Sequence, residues 1–488
     1  MQTNTTASFV IQAFCLLLLI SHGNPHIFSN PFHLQKLFDQ FLEVGHTLRT
    51  SKIDFDSKPR VIKNYYHFWL ETKAEDELQL QEKILEKLAS NPVHIFQLIH
   101  SFRLIDQHLL PSLQSEKMLN EKFDFIKTKI GWPGEEDFKG VIQGLLRVQF
   151  TYQLSIVDMA KGLIGSRQTN AFLSPEDCLF LAKERIDGNN PLLKGGGIDY
   201  AVAIEWAEAA LVLTRNAKLK EDVKAFLIQT KSEHDKYFQP PTFGGWSTHP
   251  NEHFFISKFE AKNKTGTELR AEENQVFQKR FSSDSLDYHM HIRDYHRLCR
   301  GEKLNFPNKP RFIGYCQLRH YGDPWLILAP AKAEIMSDEQ PFQLIVFHDV
   351  LTNNQIKFMQ TEGLQKLVRA GLYVAGNTDR NKDNSNFTPE RTQSSGWLWD
   401  FAYPQLQKIS RKLDRILRLD VSTTEHLISA SEAFQIGVYS PGGLYLPHHD
   451  AFEPIDIHAW APNGTWIGNR IATAMFYVRL IGYLVVLI

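Results

Sequence analysis

The chain has 488 residues, with 54 Lys plus Arg against 55 Asp plus Glu, and is 43% hydrophobic. That length predicts more than one domain with ample core material. The near-zero net charge argues against a nucleic-acid partner, which would show a basic balance.

In chain order, the apolar run from Phe9 to Ile20 is too short to span a membrane comfortably. With Ser21-His22-Gly23 behind it, it reads as a secretory signal peptide over residues 1–23. No other segment reaches spanning length, so the mature chain is expected to be soluble in the secretory pathway.

Residues 24–140 read as helical. Leu34, Phe38, Phe41 and Leu48 recur at coiled-coil-like intervals. Leu78, Leu85 and Leu88, then Ile95, Leu98, Ile99 and Phe102, continue a helical spacing, with Asn91-Pro92 punctuating between two helices. A second helical unit spans 141–240, beginning with Leu145, Leu146, Val148 and Tyr152. In it Ser174-Pro175-Glu176-Asp177 is a helix start with acids in the first turn. Tyr200 to Leu213 reads as an amphipathic helix whose Tyr, Trp and Ala pattern is similar to a tetratricopeptide helix, and Gly195-Gly196-Gly197 interrupts the pair.

Residues 241–324 read as a linker, opened by Pro240-Pro241 and Gly244-Gly245. Cys299 and Cys316 could close a loop within it, worth roughly 3 kcal/mol in the chain-entropy model. Cys178 reads as a buried thiol, and Cys15 falls in the signal. Asn263 and Asn463 are N-glycosylation acceptors, whereas the sequon at Asn386 is weakened by Pro389.

A last domain spans 325–488. Trp325 to Leu328 and Phe342 to His348 are strand candidates, and Asp349 to Val368 suits a helix. Arg391 to Leu398 reads as strand and turn, and Tyr403 to Leu417 as a basic amphipathic helix. Phe434, Ile436 and Val438 alternate as a half-buried strand, Ser440 to Gly443 form a turn, and Leu444 to Leu446 restart a strand. That strand delivers Pro447-His448-His449-Asp450. Strand side chains alternate with period 2, so His448 and Asp450 would share a face. A 2-His-1-carboxylate face with open positions suits Fe(II) in enzymes that activate O2, and this pair would supply two of its three donors.

The pattern Tyr445-x-Pro447-His448-x-Asp450, then Gly468-Asn469-Arg470-Ile471-Ala472-Thr473 and an aromatic strand, resembles the collagen prolyl 4-hydroxylase α subunit. The segment Tyr295-His296-Arg297-Leu298-Cys299-Arg300-Gly301-Glu302 resembles the same family just before its catalytic domain. The resemblance implies an α+β multidomain chain. A helical domain that dimerises through a coiled coil (24–140) and a tetratricopeptide-like peptide-substrate domain (141–240) would precede a double-stranded β-helix, or jelly-roll, catalytic domain (325–488). It implies iron bound by His448 and Asp450, 2-oxoglutarate beside Tyr445, and a disulfide between Cys299 and Cys316. Tyr152 and Tyr200 would line a groove for proline-rich chains, with a core contact the alternative for Tyr200. Ascorbate, a protein disulfide isomerase partner, self-association and the endoplasmic-reticulum lumen follow from the same resemblance. The implied reaction is 4-hydroxylation of peptidyl proline.

Two departures qualify these expectations. His449 stands where the family has Phe. The chain ends at Ile488, before the expected second His ligand and the Lys that pairs with 2-oxoglutarate, and Arg479 to Ile488 match nothing in the family. His458 is a poor substitute ligand. The expectation is therefore an incomplete catalytic domain, impaired in activity, with an unpaired edge at the strand Ile471–Val478 and an apolar tail beyond it. The rival expectation is a non-catalytic endoplasmic-reticulum protein that binds proline-rich peptides or protein disulfide isomerase.

Overall fold

A computed structural model describes residues 30–50, 90–113, parts of 121–127, 132–169, 171–186, 200–237, 261–272, 295–303, 314–337, 343–370, 391–423, 430–445, 448, 450–451, 469–480 and 482–487. The signal run, Leu78 to Leu88, the triple glycine, Asn386, His449, His458 and Asn463 lie outside these residues. The architecture is mixed helix and sheet, divided into two compact units, Lys36–Asn305 and Phe306–Ile488 with Met1–Gln35.

The Lys36–Asn305 unit is helical. Helix α1 (Pro31–Thr50) buries Leu37, Phe38, Phe41 and Val44. Of the expected stripe, Phe38 and Phe41 are thus buried, with the ring of Phe41 6.0 Å from that of Phe102. Helix α2 (Pro92–Leu104) starts where Asn91-Pro92 predicts, because the Asn91 side chain accepts from Val93 N at 2.9 Å. Helices α3 (Glu135–Tyr152) and α4 (Ile156–Ala160) follow, and a small hairpin joins β1 (Leu163–Ile164) to β2 (Arg167–Gln168).

Helix α5 (Pro175–Ile186) is capped as expected. Ser174 Oγ accepts from Asp177 N at 3.0 Å, and Asp177 Oδ2 accepts from Ser174 N at 2.9 Å. Cys178 is buried, and burial pushes its thiol pKa up. Helix α6 (Tyr200–Leu213) is not the amphipathic helix expected. Every residue from Tyr200 to Ala207 is buried, because α6 packs against both α5 and α7 (Ala217–Tyr237).

The Phe306–Ile488 unit carries the two larger sheets. Strands β3 (Tyr315–Arg319), β4 (Ala331–Ser337) and β5 (Leu344–His348) form one antiparallel sheet. The strand expected at Trp325–Leu328 is instead helix α8 (Pro324–Leu328). Asp323 caps it by accepting from Trp325 N at 2.8 Å and Leu326 N at 3.1 Å, with Pro324 in the first turn.

Helix α9 (Asn353–Leu364) leads to β6 (Val368–Arg369) and β7 (Ser394–Leu398), and helix α10 (Pro404–Leu417) buries Leu406, Ile409, Leu413 and Ile416. Strand β8 (Phe434–Tyr439) was expected to be half-buried. It is buried from Phe434 to Val438, as a central strand packed on the α9 and α10 side chains.

The chain's last segments are β9 (Met475–Leu480) and β10 (Gly482–Leu487). The sheet order is β6-β7-β8-β10-β9, so β10 lies between β8 and β9 and pairs antiparallel with both. The segment expected to hang free as a tail is thus a sheet strand, and β9 takes the edge. Among the described residues the strands form open sheets and no barrel.

Candidate metal centre

The centre is built at the end of β8. Its turn closes with Gly443 N donating to Ser440 O at 2.7 Å, and Gly442 supplies the left-handed φ of 81°. The returning chain is stitched to the segment before β7. Thr392 N donates to Leu444 O at 2.8 Å, Leu444 N to Thr392 Oγ1 at 2.9 Å, and Arg391 bridges Tyr445. His448 and Asp450 are themselves outside the described strands, and the two expected donors meet: His448 Nε2 lies 3.3 Å from Asp450 Oδ1.

The surroundings fix the pair. The Tyr445 ring stacks on His448 with centroids 3.7 Å apart and planes 24° apart. The Arg391 guanidinium lies 4.5 Å from the centre of the Tyr445 ring. Thr473 Oγ1 donates to Asp450 Oδ2 at 2.6 Å. Arg470 Nη1 donates to the main-chain oxygen of Asp450 at 3.1 Å, and its other nitrogens fork Glu432. Burial works against the charge of Arg470, but the hydrogen bonds and charge of Glu432, with Asp450 and Tyr445, outweigh it and raise its pKa.

The donor set suits a first-row divalent ion. Ligand bonds of about 2.1 Å at near-perpendicular angles put two donors roughly 3 Å apart, close to the 3.3 Å seen between Nε2 and Oδ1. Imidazole plus carboxylate is the combination such iron sites use. Among the described residues no third His, Cys, Asp or Glu completes a group.

The remaining expected residues lie elsewhere. Tyr152 ends α3 with 48% of its surface exposed, whereas Tyr200 is 8% exposed and edge-on to His234. Asn263 is exposed in a turn. Cys299 and Cys316 are not joined: both are free thiols, Cys316 exposed on β3 and Cys299 in the helical unit. Arg297 and Arg300 pair with Glu302 at 2.9 and 2.8 Å, and Arg300 also donates to Thr151 O.

Thr473, Glu432 and Arg391 carry no role in the sequence reading. Thr473 and Arg470 sit in the quoted Gly-Asn-Arg-Ile-Ala-Thr run, which was a signal available to find them. Glu432 precedes Arg470 by 38 residues, and only the fold pairs them.

A family described as the N-terminal region of the prolyl 4-hydroxylase alpha subunit matches residues 33–166. Prolyl 4-hydroxylase subunit alpha-1 of Rattus norvegicus is 26% identical over 71% of this chain and 63% of its own length. Subunit alpha-2 of Caenorhabditis elegans is 23% identical over 95% of this chain and 82% of its own. Subunit alpha-1 of the same worm is 24% identical over 91% and 78%. The match to the rat relative therefore spans less than two thirds of that protein. The chain is prolyl 4-hydroxylase alpha-subunit-like over most of its length.

Proposed function

We propose that this chain is the alpha subunit of a procollagen-proline 4-dioxygenase, with His448 and Asp450 as iron donors. The observation that carries the reading is the convergence of His448 Nε2 and Asp450 Oδ1, 3.3 Å apart, in a chain similar to prolyl 4-hydroxylase alpha subunits. Bound Fe(II) and 2-oxoglutarate would supply the oxidising chemistry that places a hydroxyl on C4 of a peptidyl proline, with ascorbate keeping the iron reduced.

The chain's own part is positioning. His448 and Asp450 offer one neutral nitrogen and one anionic oxygen to the same point. Tyr445 shelves the imidazole and borders the space proposed for 2-oxoglutarate. Tyr152 presents an exposed ring that suits a proline-rich chain in extended form; buried Tyr200 would act by supporting the helices behind it. Protein disulfide isomerase as partner, the endoplasmic-reticulum lumen and glycans on Asn263 and Asn463 belong to the same proposal. No helix among the described residues is long and apolar enough to cross a membrane.

A second reading is a non-catalytic binder of proline-rich peptides or of the isomerase. It is favoured by the two-donor count among the described residues, since a facial triad needs three. Purified chain given Fe(II), 2-oxoglutarate, ascorbate and a (Pro-Pro-Gly) peptide separates the two. Peptide-dependent succinate release supports the hydroxylase; peptide retained without succinate supports the binder.

A further inference from the structure

We propose that Thr473 is a positioning residue of the metal centre, holding Asp450 to a single oxygen donor; the inference rests on the iron-site reading above. A carboxylate can offer a metal either oxygen or both. Here the two oxygens of Asp450 are already distinguished. Oδ2 accepts the Thr473 hydroxyl at 2.6 Å, and Oδ1 faces His448 Nε2 at 3.3 Å. The shorter distance is that of a charge-assisted O–H···O⁻ bond. It occupies Oδ2 and orients the carboxylate plane so that Oδ1 stands beside the imidazole.

Arg470 adds the complementary restraint. It grips the main-chain oxygen of Asp450 while its fork on Glu432 ties that grip to the residues entering β8. The side chain is thus fixed by Thr473 and the backbone by Arg470. This matters more than usual because Asp450 sits on a loop, where no strand ladder orients it. Thr473 lies two residues before β9, so the placement of β9 sets the donor oxygen.

The test is a Co(II) titration of the full chain, followed by visible absorption, on wild type, Thr473→Val, Thr473→Ser, Arg470→Gln and Asp450→Asn. Loss of an outer hydrogen-bond partner typically weakens a metal site about 10–100-fold. Thr473→Val is expected to fall by that factor with an altered absorption band, while Thr473→Ser keeps both affinity and band. Arg470→Gln weakens binding in the same direction through an independent contact, so the inference stays testable should Thr473→Val melt early. Wild-type affinity in Thr473→Val, with binding abolished in Asp450→Asn, would overturn the positioning role and leave the metal site standing. No binding by wild type, or unchanged binding by Asp450→Asn, would overturn the iron-site reading and the inference with it.

Discussion

The ring of Tyr445 lies flat on the imidazole of His448, centroids 3.7 Å apart, while Arg391 covers the Tyr445 ring from 4.5 Å. Stacking of this kind contributes roughly 0.5–1.5 kcal/mol, about two- to tenfold in an equilibrium. Tyr445→Ala should therefore weaken Co(II) binding by that factor, because His448 loses its shelf. Tyr445→Phe, which keeps the ring, should bind like wild type. Titration of the three proteins side by side checks this.

Helix α9 approaches β8 through a glycine. A Cβ on Gly363 would stand 2.7 Å from Ile436 Cγ1 and 2.9 Å from Cγ2. Ala in place of Gly within a helix gains at most about 1 kcal/mol, whereas overpacking a core costs about 1–3 kcal/mol. Gly363→Ala should lower the melting temperature. Gly363→Ala should cost less in an Ile436→Ala background, where both γ carbons are gone, and a double-mutant cycle measures the coupling. Additive losses would show that the two residues do not meet.

The helical unit should weaken in acid through His296. Its pKa is pushed down to about 4, first by burial and then by Arg300 and Arg147, from an ordinary 6.5. Between those values the unfolded chain binds a proton that the folded chain refuses. Stability is therefore complete above about 6.5 and falls as pH drops toward 4. His296→Phe, which keeps a ring against Phe150, should flatten that decline in melting temperature between pH 7 and 4.5 (window set by the shift). An unchanged slope would place the acid sensitivity elsewhere.

Thiol labelling reads the cysteines directly. Cys178 is buried with its pKa raised, so it should react only on unfolding, whereas exposed Cys316 should react in the native protein. A Cys316 that labels only after reduction would show that the cross-link expected from the sequence forms after all.

What the sequence made legible was mostly local. Asn91-Pro92 and Ser174 to Asp177 start helices because their side chains satisfy backbone N–H groups within three residues. The helix at Tyr403–Leu417 was legible from its period. Trp325–Leu328 was misread because four apolar residues suit a strand or a helix turn equally, and the Asp323 cap decides between them. Burial of β8 and of the first half of α6 on every side depends on neighbours far along the chain, which no local pattern reports.

The same division holds at the metal centre. His448-x-Asp450 was visible as a pair, and the pair does converge, with neither residue in a described strand. The Glu432 fork and the stitching of Thr392 to Leu444 join segments 38 and 52 residues apart. Likewise, the C-terminal hydrophobic run gave no hint that β10 would insert between β8 and β9, since that placement is a property of the sheet.

The central claim is that His448 and Asp450 grip one metal ion. Anaerobic equilibrium dialysis of the full chain against Fe(II) tests it most directly. The account predicts one bound iron per chain, lost in both His448→Ala and Asp450→Asn while the melting temperature is kept. Iron retained by both variants, or none bound by the wild-type chain, would contradict it.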